Sequence, residues 1–283
     1  MLRTAFAAST LYAIPAPAIA REKAAAFTIG ILGTREPPEL ALKTLRRTME
    51  RAASRAVAFE LFARGERLVE AAATGRITLS VHTALTFAAA RIACDCLVPL
   101  ARPVTADGTA GIRSVVFVRS DAAIRRTPQL AGRAILGGSD PSVSARVGRI
   151  ALRHRLKDHP APLFIEPSAG PDLERFVGGA GDALIGHEAV DRWGQVVEGS
   201  GTWADLPDAS AFAALWRSAP IWHGPVALHQ SHDNLRARMN DALMSMPSAG
   251  AETIGLGLGR VSLAPARLGD YDLLPLLLRA DQA

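Results

Sequence analysis

The sequence is short of aromatic residues, which make up 5% of its 283 positions, and it has only two tyrosines and two cysteines. So few rings do not supply the stacking surface of a nucleic-acid platform. The formal charge of +5 is small and scattered rather than gathered on one face. Nucleic acid is therefore not expected as a partner. Two cysteines cannot build a disulfide scaffold, and haem-type spacing is missing. Apolar runs of membrane length are also lacking: Leu273 to Leu278 is short and contains Pro275. What the chain does have is 49% apolar and 21% charged residues, the balance of a folded protein that buries a substantial core.

The N-terminus has the three regions of an export signal in order. Met1-Leu2-Arg3 is positive, Thr4 to Ile14 is mostly apolar, and Ala18-Ile19-Ala20 is a small-residue cleavage pattern before Arg21-Glu22-Lys23. Residues 1–20 are read as a cleavable signal peptide, which places the mature chain in the periplasm. A buried N-terminal helix is the alternative. No cysteine stands at the cleavage point, so no lipid anchor is expected. Cys94-Asp95-Cys96 would then meet an oxidising compartment. A bond between residues two apart is a strained one, and both are read as small buried apolar residues.

Beyond residue 26 the pattern alternates strand and helix. Phe27 to Leu32 is β-rich, Pro37 to Arg51 is helical, and Val57 to Phe62 alternates as a strand. A helix over 66–73, a strand over 77–81, a helix over 83–91 and a strand over 97–100 follow, then a long strand over 111–119. The alternation restarts with a strand over 133–136, a helix over 142–156, a strand over 163–165, a helix over 172–177, a strand over 183–185 and a short helix over 187–193. A strand over 226–229 and helices over 233–246 and 271–279 close the chain. Such alternation predicts mainly parallel sheets covered by helices. Two such runs predict two lobes, linked near 111–119 and 226–229.

One stretch carries chemistry. Ala134-Ile135-Leu136 runs into Gly137-Gly138, then Ser139-Asp140-Pro141-Ser142-Val143-Ser144. Asp140 is placed as the helix cap and Pro141 as the first helical residue. The amides of Ser142, Val143 and Ser144 then face out of the positive end of a helix, with two hydroxyls beside them, a setting that holds phosphate, phosphonate or sulfate. An ordinary capped helix fits the same residues.

Four segments together resemble the phosphate/phosphite/phosphonate type of ABC-transporter substrate-binding protein, the PhnD-like family. They are the Thr28 to Leu32 strand, the block from Leu130 to Ser144, Gly181-Asp182-Ala183 followed by His187 and Glu188, and Asp270-Tyr271-Asp272. Val143 and Ala145 stand where the family's anion loop has threonine and glycine. Thr78 stands where its first-lobe aspartate falls, and Phe87 can take the place of its aromatic. The resemblance implies an α/β, two-lobed periplasmic binding protein of type II-like fold. Lobe 1 would be 24–110 with 222–283 and lobe 2 would be 111–221, with a small anionic solute captured between them. It implies an ABC permease in the cytoplasmic membrane as partner, a monomer, no cofactor and no catalysis. The candidate ligand-binding residues are Ser142, Val143, Ser144, His187 and Glu188, with Ser80, His82, Thr83 and Arg35 added from their places after first-lobe strands. Thr83 also reads as a helix cap and Arg35 as the partner of Glu36. A periplasmic sensor of the same fold and a secreted enzyme using Ser142 or Ser144 with His187 are the alternatives. His223, His229 and His232 are too badly spaced for a metal site. There is no G-x-S-x-G elbow. Gly255-Leu256-Gly257-Leu258-Gly259 lacks the strand–helix context of a dinucleotide site and reads as a tight bend.

Overall fold

The computed structural model describes residues 27–33, 38–137, 142–165 and 171–280. The segment read as a signal peptide, and Arg35, Asp140 and Pro141, lie outside them. The described chain opens with β1 (Phe27–Leu32), in which alternate Phe27, Ile29 and Ile31 are buried. α1 (Glu39–Ala53) buries Ala41, Leu45, Met49 and Ala53, four residues apart on one helix face. β2 (Val57–Phe62), α2 (Gly65–Ala73), β3 (Leu79–Val81), α3 (Ala84–Ala93), β4 (Leu97–Thr105) and β5 (Thr109–Arg119) follow. Next come β6 (Ala134–Leu136), α4 (Val143–Arg155), β7 (Leu163–Phe164), α5 (Asp172–Val177), β8 (Ala183–Asp191), β9 (Phe212–Arg217) and β10 (Ile221–Trp222). The chain ends through β11 (Val226–His229), α6 (Arg236–Met244), α7 (Ser248–Ile254), β12 (Val261–Pro265) and α8 (Leu273–Ala280).

Two sheets result. One has the order β12-β4-β11-β3-β1-β2; the other has the order β10-β5-β8-β6-β7, with β9 also paired to β5. Helices flank both, so the protein is α/β with two lobes. The expectation of mainly parallel sheets is corrected. β1 is parallel to β2 and β3, and β6 to β7 and β8, but every other pairing is antiparallel. The reason is that β8, β9 and β10 all fold back against β5, while β11 and β12 flank β4 on either side and both run against it.

The sheets are joined twice, through residues 106–108 and through 223–225. At the second link Gly224 lies against Thr83, and a side-chain carbon there would fall 2.0 Å from the His82 carbonyl oxygen. Each lobe has its own core, around Phe27, Leu79 and Val226 in one and around Val116, Ile135 and Ile185 in the other. A further apolar cluster lies between them. Ala88 of α3, Val147 of α4, Ile221 of β10, and Leu274 and Leu278 of α8 meet there, so α8 packs against helices of both lobes.

Two further expectations are corrected. The short helix over 187–193 is the second half of β8. Its pairing with β5 runs from Val118↔Ala183 to Thr109↔Asp191, with a register shift between Gly111 and Thr109, and this long ladder overrides the local pattern. The cysteines are not free: Cys94 and Cys96 are half-buried and joined in a disulfide, with Cα atoms 5.2 Å apart. Cys94 ends α3 in an extended conformation (φ −152°, ψ 144°), which points residues two apart to the same side.

Candidate functional site

The site starts from the first turn of α4. Ser142 is the cap residue: its Oγ accepts from the Ala145 amide at 3.2 Å. The cap is thus two residues later than Asp140. Helix geometry leaves the amides of Val143 and Ser144 with no acceptor inside the helix. Ser142 Oγ and Ser144 Oγ lie 3.0 Å apart, and the buried Ser114 hydroxyl donates to the Ser144 carbonyl at 2.8 Å, fixing the turn to β5. The first turn carries no acidic residue and the last turn carries Arg153, His154 and Arg155, so both ends agree with the helix dipole.

Ser142, Ser144 and His187 line one cavity of about 350 Å³, together with Thr202, Asp172 and Asp205. Asp172 is already engaged, accepting from the Gly137 amide at 3.0 Å and from Arg175 at 2.9 Å. Val143 faces another cavity, of about 220 Å³, whose walls come from both lobes: His82 and Thr83 from the β3–α3 junction, Trp222 from the end of β10 and His223 from the second link. Ile112 lines both cavities.

The other expected residues are placed as follows. Glu188 follows His187 on β8, and adjacent strand residues point to opposite faces. It is 1% exposed and faces away from the cavity, accepting from Trp203 at 2.6 Å and from both Nε and Nη2 of Arg217. Burial alone would raise its pKa, but the hydrogen bonds from Arg217 and Trp203 outweigh burial and hold it below the usual carboxylate value. His82 is buried beside the second cavity. Its Nε2 meets Ser80 Oγ at 2.8 Å and its Nδ1 meets Thr86 Oγ1 at 3.3 Å, while Ser80 Oγ in turn donates to the Ala227 carbonyl. Desolvation pushes its pKa down to about 3, so it is a neutral imidazole. Ser80 therefore supports His82 rather than facing a cavity. Thr83 caps α3 in a reciprocal box with Thr86 and also lines the second cavity. Phe87 is wholly buried, edge-on to Tyr271 with ring centroids 5.0 Å apart. Arg35 lies outside the described residues.

Sequence reasoning missed Ile112, Trp222 and His223. Their only signal is position, one at the start of the long β5 and two at the re-entry into the first sheet. Asp270-Tyr271-Asp272 also has a role that sequence did not disclose. Asp270 pairs with buried Arg102 at 2.6 Å, Asp272 pairs with Arg91 at 2.8 Å, and the Tyr271 hydroxyl donates to the His223 carbonyl at 2.8 Å. The motif moors the root of α8 to the second link. His223 is itself held by the Pro103 carbonyl, and desolvation lowers its pKa. Among the described residues no group of three or more histidine, cysteine, aspartate and glutamate side chains gathers as metal ligands do.

Two α/β lobes, joined twice and with one of the two cavities walled by residues of both, give a two-lobed architecture. A family model described as "ABC transporter, phosphonate, periplasmic substrate-binding protein" matches residues 29–172, just over half of the 283-residue chain. The chain belongs to that family, which is one of binding proteins rather than enzymes. Among solved structures it is similar to XAC2383 from Xanthomonas citri. The form bound to ATP has 14% identity and a TM-score of 0.58, covering 91% of this chain and 97% of that one. The form bound to chloride has the same identity and coverage, with a TM-score of 0.56. PhnD1 from Prochlorococcus marinus, in complex with methylphosphonate, has 12% identity and a TM-score of 0.48, over 91% of this chain and 98% of that one. At this identity the likeness to the two XAC2383 structures speaks for the fold alone. No curated protein matches the sequence.

Proposed function

We propose that the chain is the solute-binding component of an ABC importer, capturing a small phosphonate-like oxyanion in the cleft between its lobes. One observation carries this reading: Ser142, Ser144 and His187 share a cavity at the positive end of α4. Two amides, two hydroxyls and an imidazole can surround an oxyanion there without any reacting group. The helix end supplies about half a positive charge. Closure of the lobes about the two links would exclude water and strengthen each contact. In this reading residues 1–20 direct export to the periplasm, where the Cys94–Cys96 disulfide persists. The loaded monomer then docks on a permease in the cytoplasmic membrane.

Thermal unfolding against methylphosphonate, phosphite, phosphate and sulfate tests the reading, because a ligand that binds only the folded chain raises its melting temperature. At least one oxyanion is expected to stabilise. The double change Ser142→Ala with Ser144→Ala is expected to weaken that ligand by about tenfold or more, as for lost hydrogen bonds to a charged group. Unchanged affinity in the double variant would remove α4 as the anchor.

A further inference from the structure

The cavity at the start of α4 offers hydrogen-bond donors but no lysine or arginine, and the Val143-side cavity has none either. Two carboxylates line the first. Asp172 is paired with Arg175 at 2.9 Å, while Asp205 is exposed. An anion that approaches meets the charge of Asp205, against which the helix end sets only about half a positive charge. The balance calls for a cation close by.

One stands at the first link. A third cavity, of about 500 Å³, has walls from both lobes there: Thr105 and Arg260 on one side, His187 and Ser200 on the other. It shares His187 and Ile112 with the cavity at α4. Among the described residues, Arg260 is the one lysine or arginine that lines any of the three. Other arginines near the seam are occupied, Arg102 by Asp270 and Arg217 by Glu188. Arg260 is exposed, and no ion pair or hydrogen bond engages its side chain among the described residues. Asp107, in the same cavity, is taken up by its own turn: Thr105 Oγ1 donates to it, as do the Thr109 amide and hydroxyl, each at 3.1 Å. The backbone that presents Arg260 is open. Gly257 and Gly259 sit at φ +92° and +76°, and a side-chain carbon on either would meet nothing within 4 Å.

We propose that Arg260 steers the anion into the cleft, a rim cation that speeds capture rather than a group that holds the bound guest. This rests on the oxyanion reading above and assigns it a further residue. An unengaged guanidinium on the wall of an interlobe cavity raises the local concentration of anions and their rate of association. Its exposure to solvent keeps its share of the final affinity small, as for rim charges in general.

The test is a titration calorimetry screen of the wild-type protein with methylphosphonate, inorganic phosphate and sulfate, followed by binding kinetics for each anion that binds. Arg260→Gln is expected to lower the association rate about three- to tenfold at about 0.01 M salt, where the Debye length is about 30 Å, and to leave the dissociation rate within about twofold. At about 1 M salt the difference is expected to vanish. Arg260→Lys, which keeps the charge, is expected to match the wild type. Arg67→Gln removes the same charge from α2, where Arg67 lines none of the three cavities, and is expected to match it too. An unchanged association rate in Arg260→Gln would overturn the steering and leave the oxyanion reading intact. So would an effect that survives high salt, one that falls on the dissociation rate, or equal slowing by Arg67→Gln. Binding of none of the three anions by the wild-type protein would overturn the oxyanion reading and this inference with it.

Discussion

His82 shows how a single side chain can be visible in the sequence and yet change meaning in the fold. It stands at the strand–helix junction where a cleft residue belongs, and as a surface group it would be a cation in mild acid. Buried, with both ring nitrogens occupied by Ser80 and Thr86, it is held neutral by desolvation. The sign of the consequence follows. The folded pKa is about 3, well below the value of about 6.5 in an unfolded chain. The stability it supports is complete above pH about 6.5 and is lost as the pH falls from there towards the folded value. Between pH 7 and pH 5 this one residue is expected to cost about 2 kcal/mol. His82→Gln is expected to flatten that part of the pH–stability curve, read by urea unfolding. Parallel curves for the two proteins would contradict the assignment. Ser142 was legible as part of a helix start because its residue type suits one. That it, rather than Asp140, is the cap was not legible, since both residue types cap well and only the backbone decides.

Among the elements, those that sequence resolved were the ones whose patterns are self-sufficient. β2, α5 and β11 fall where the residues predict them, because each is a short run with a clear period and clear ends. β8 was half legible. Ala183-Leu184-Ile185 is plainly a strand, but His187-Glu188 reads as polar and exposed. The structure makes Glu188 an interior residue by reaching across β5, from β8 to Arg217 at the end of β9, and no local pattern contains a partner 29 residues away. The glutamate is 1% exposed, so removing its partner strands a charge. Arg217→Ala is expected to destabilise by roughly 3 kcal/mol, the low end for unpairing a buried carboxylate because the arginine is itself part-exposed. Chemical denaturation would measure this. A change under about 0.5 kcal/mol, typical of surface positions, would mean that Trp203 alone satisfies Glu188. β9, β10, β12 and α7 went unread for the same reason: each is short and is formed by pairing or packing with distant residues rather than by its own period.

For the whole molecule, two alternating runs were enough to foresee two lobes, but not that their sheets are mixed or that the chain's end ties them together. α8 lies on α3 of one lobe and α4 of the other, and its root is moored to the second link through Asp270, Tyr271 and Asp272. The Val143-side cavity, the second link and the C-terminal helix thus share one interlobe seam. The family resemblance pointed to the α4 turn because its residues are contiguous in the chain. The apolar half of the seam comes from Ile112, Trp222 and Leu256, far apart in sequence and brought together only by folding. A crystal structure of the protein with methylphosphonate bound is the most direct test of where the guest sits. The account predicts phosphonate oxygens about 2.7–3.2 Å from the Val143 and Ser144 amide nitrogens. A phosphonate seated elsewhere, with the start of α4 covered by protein, would contradict it.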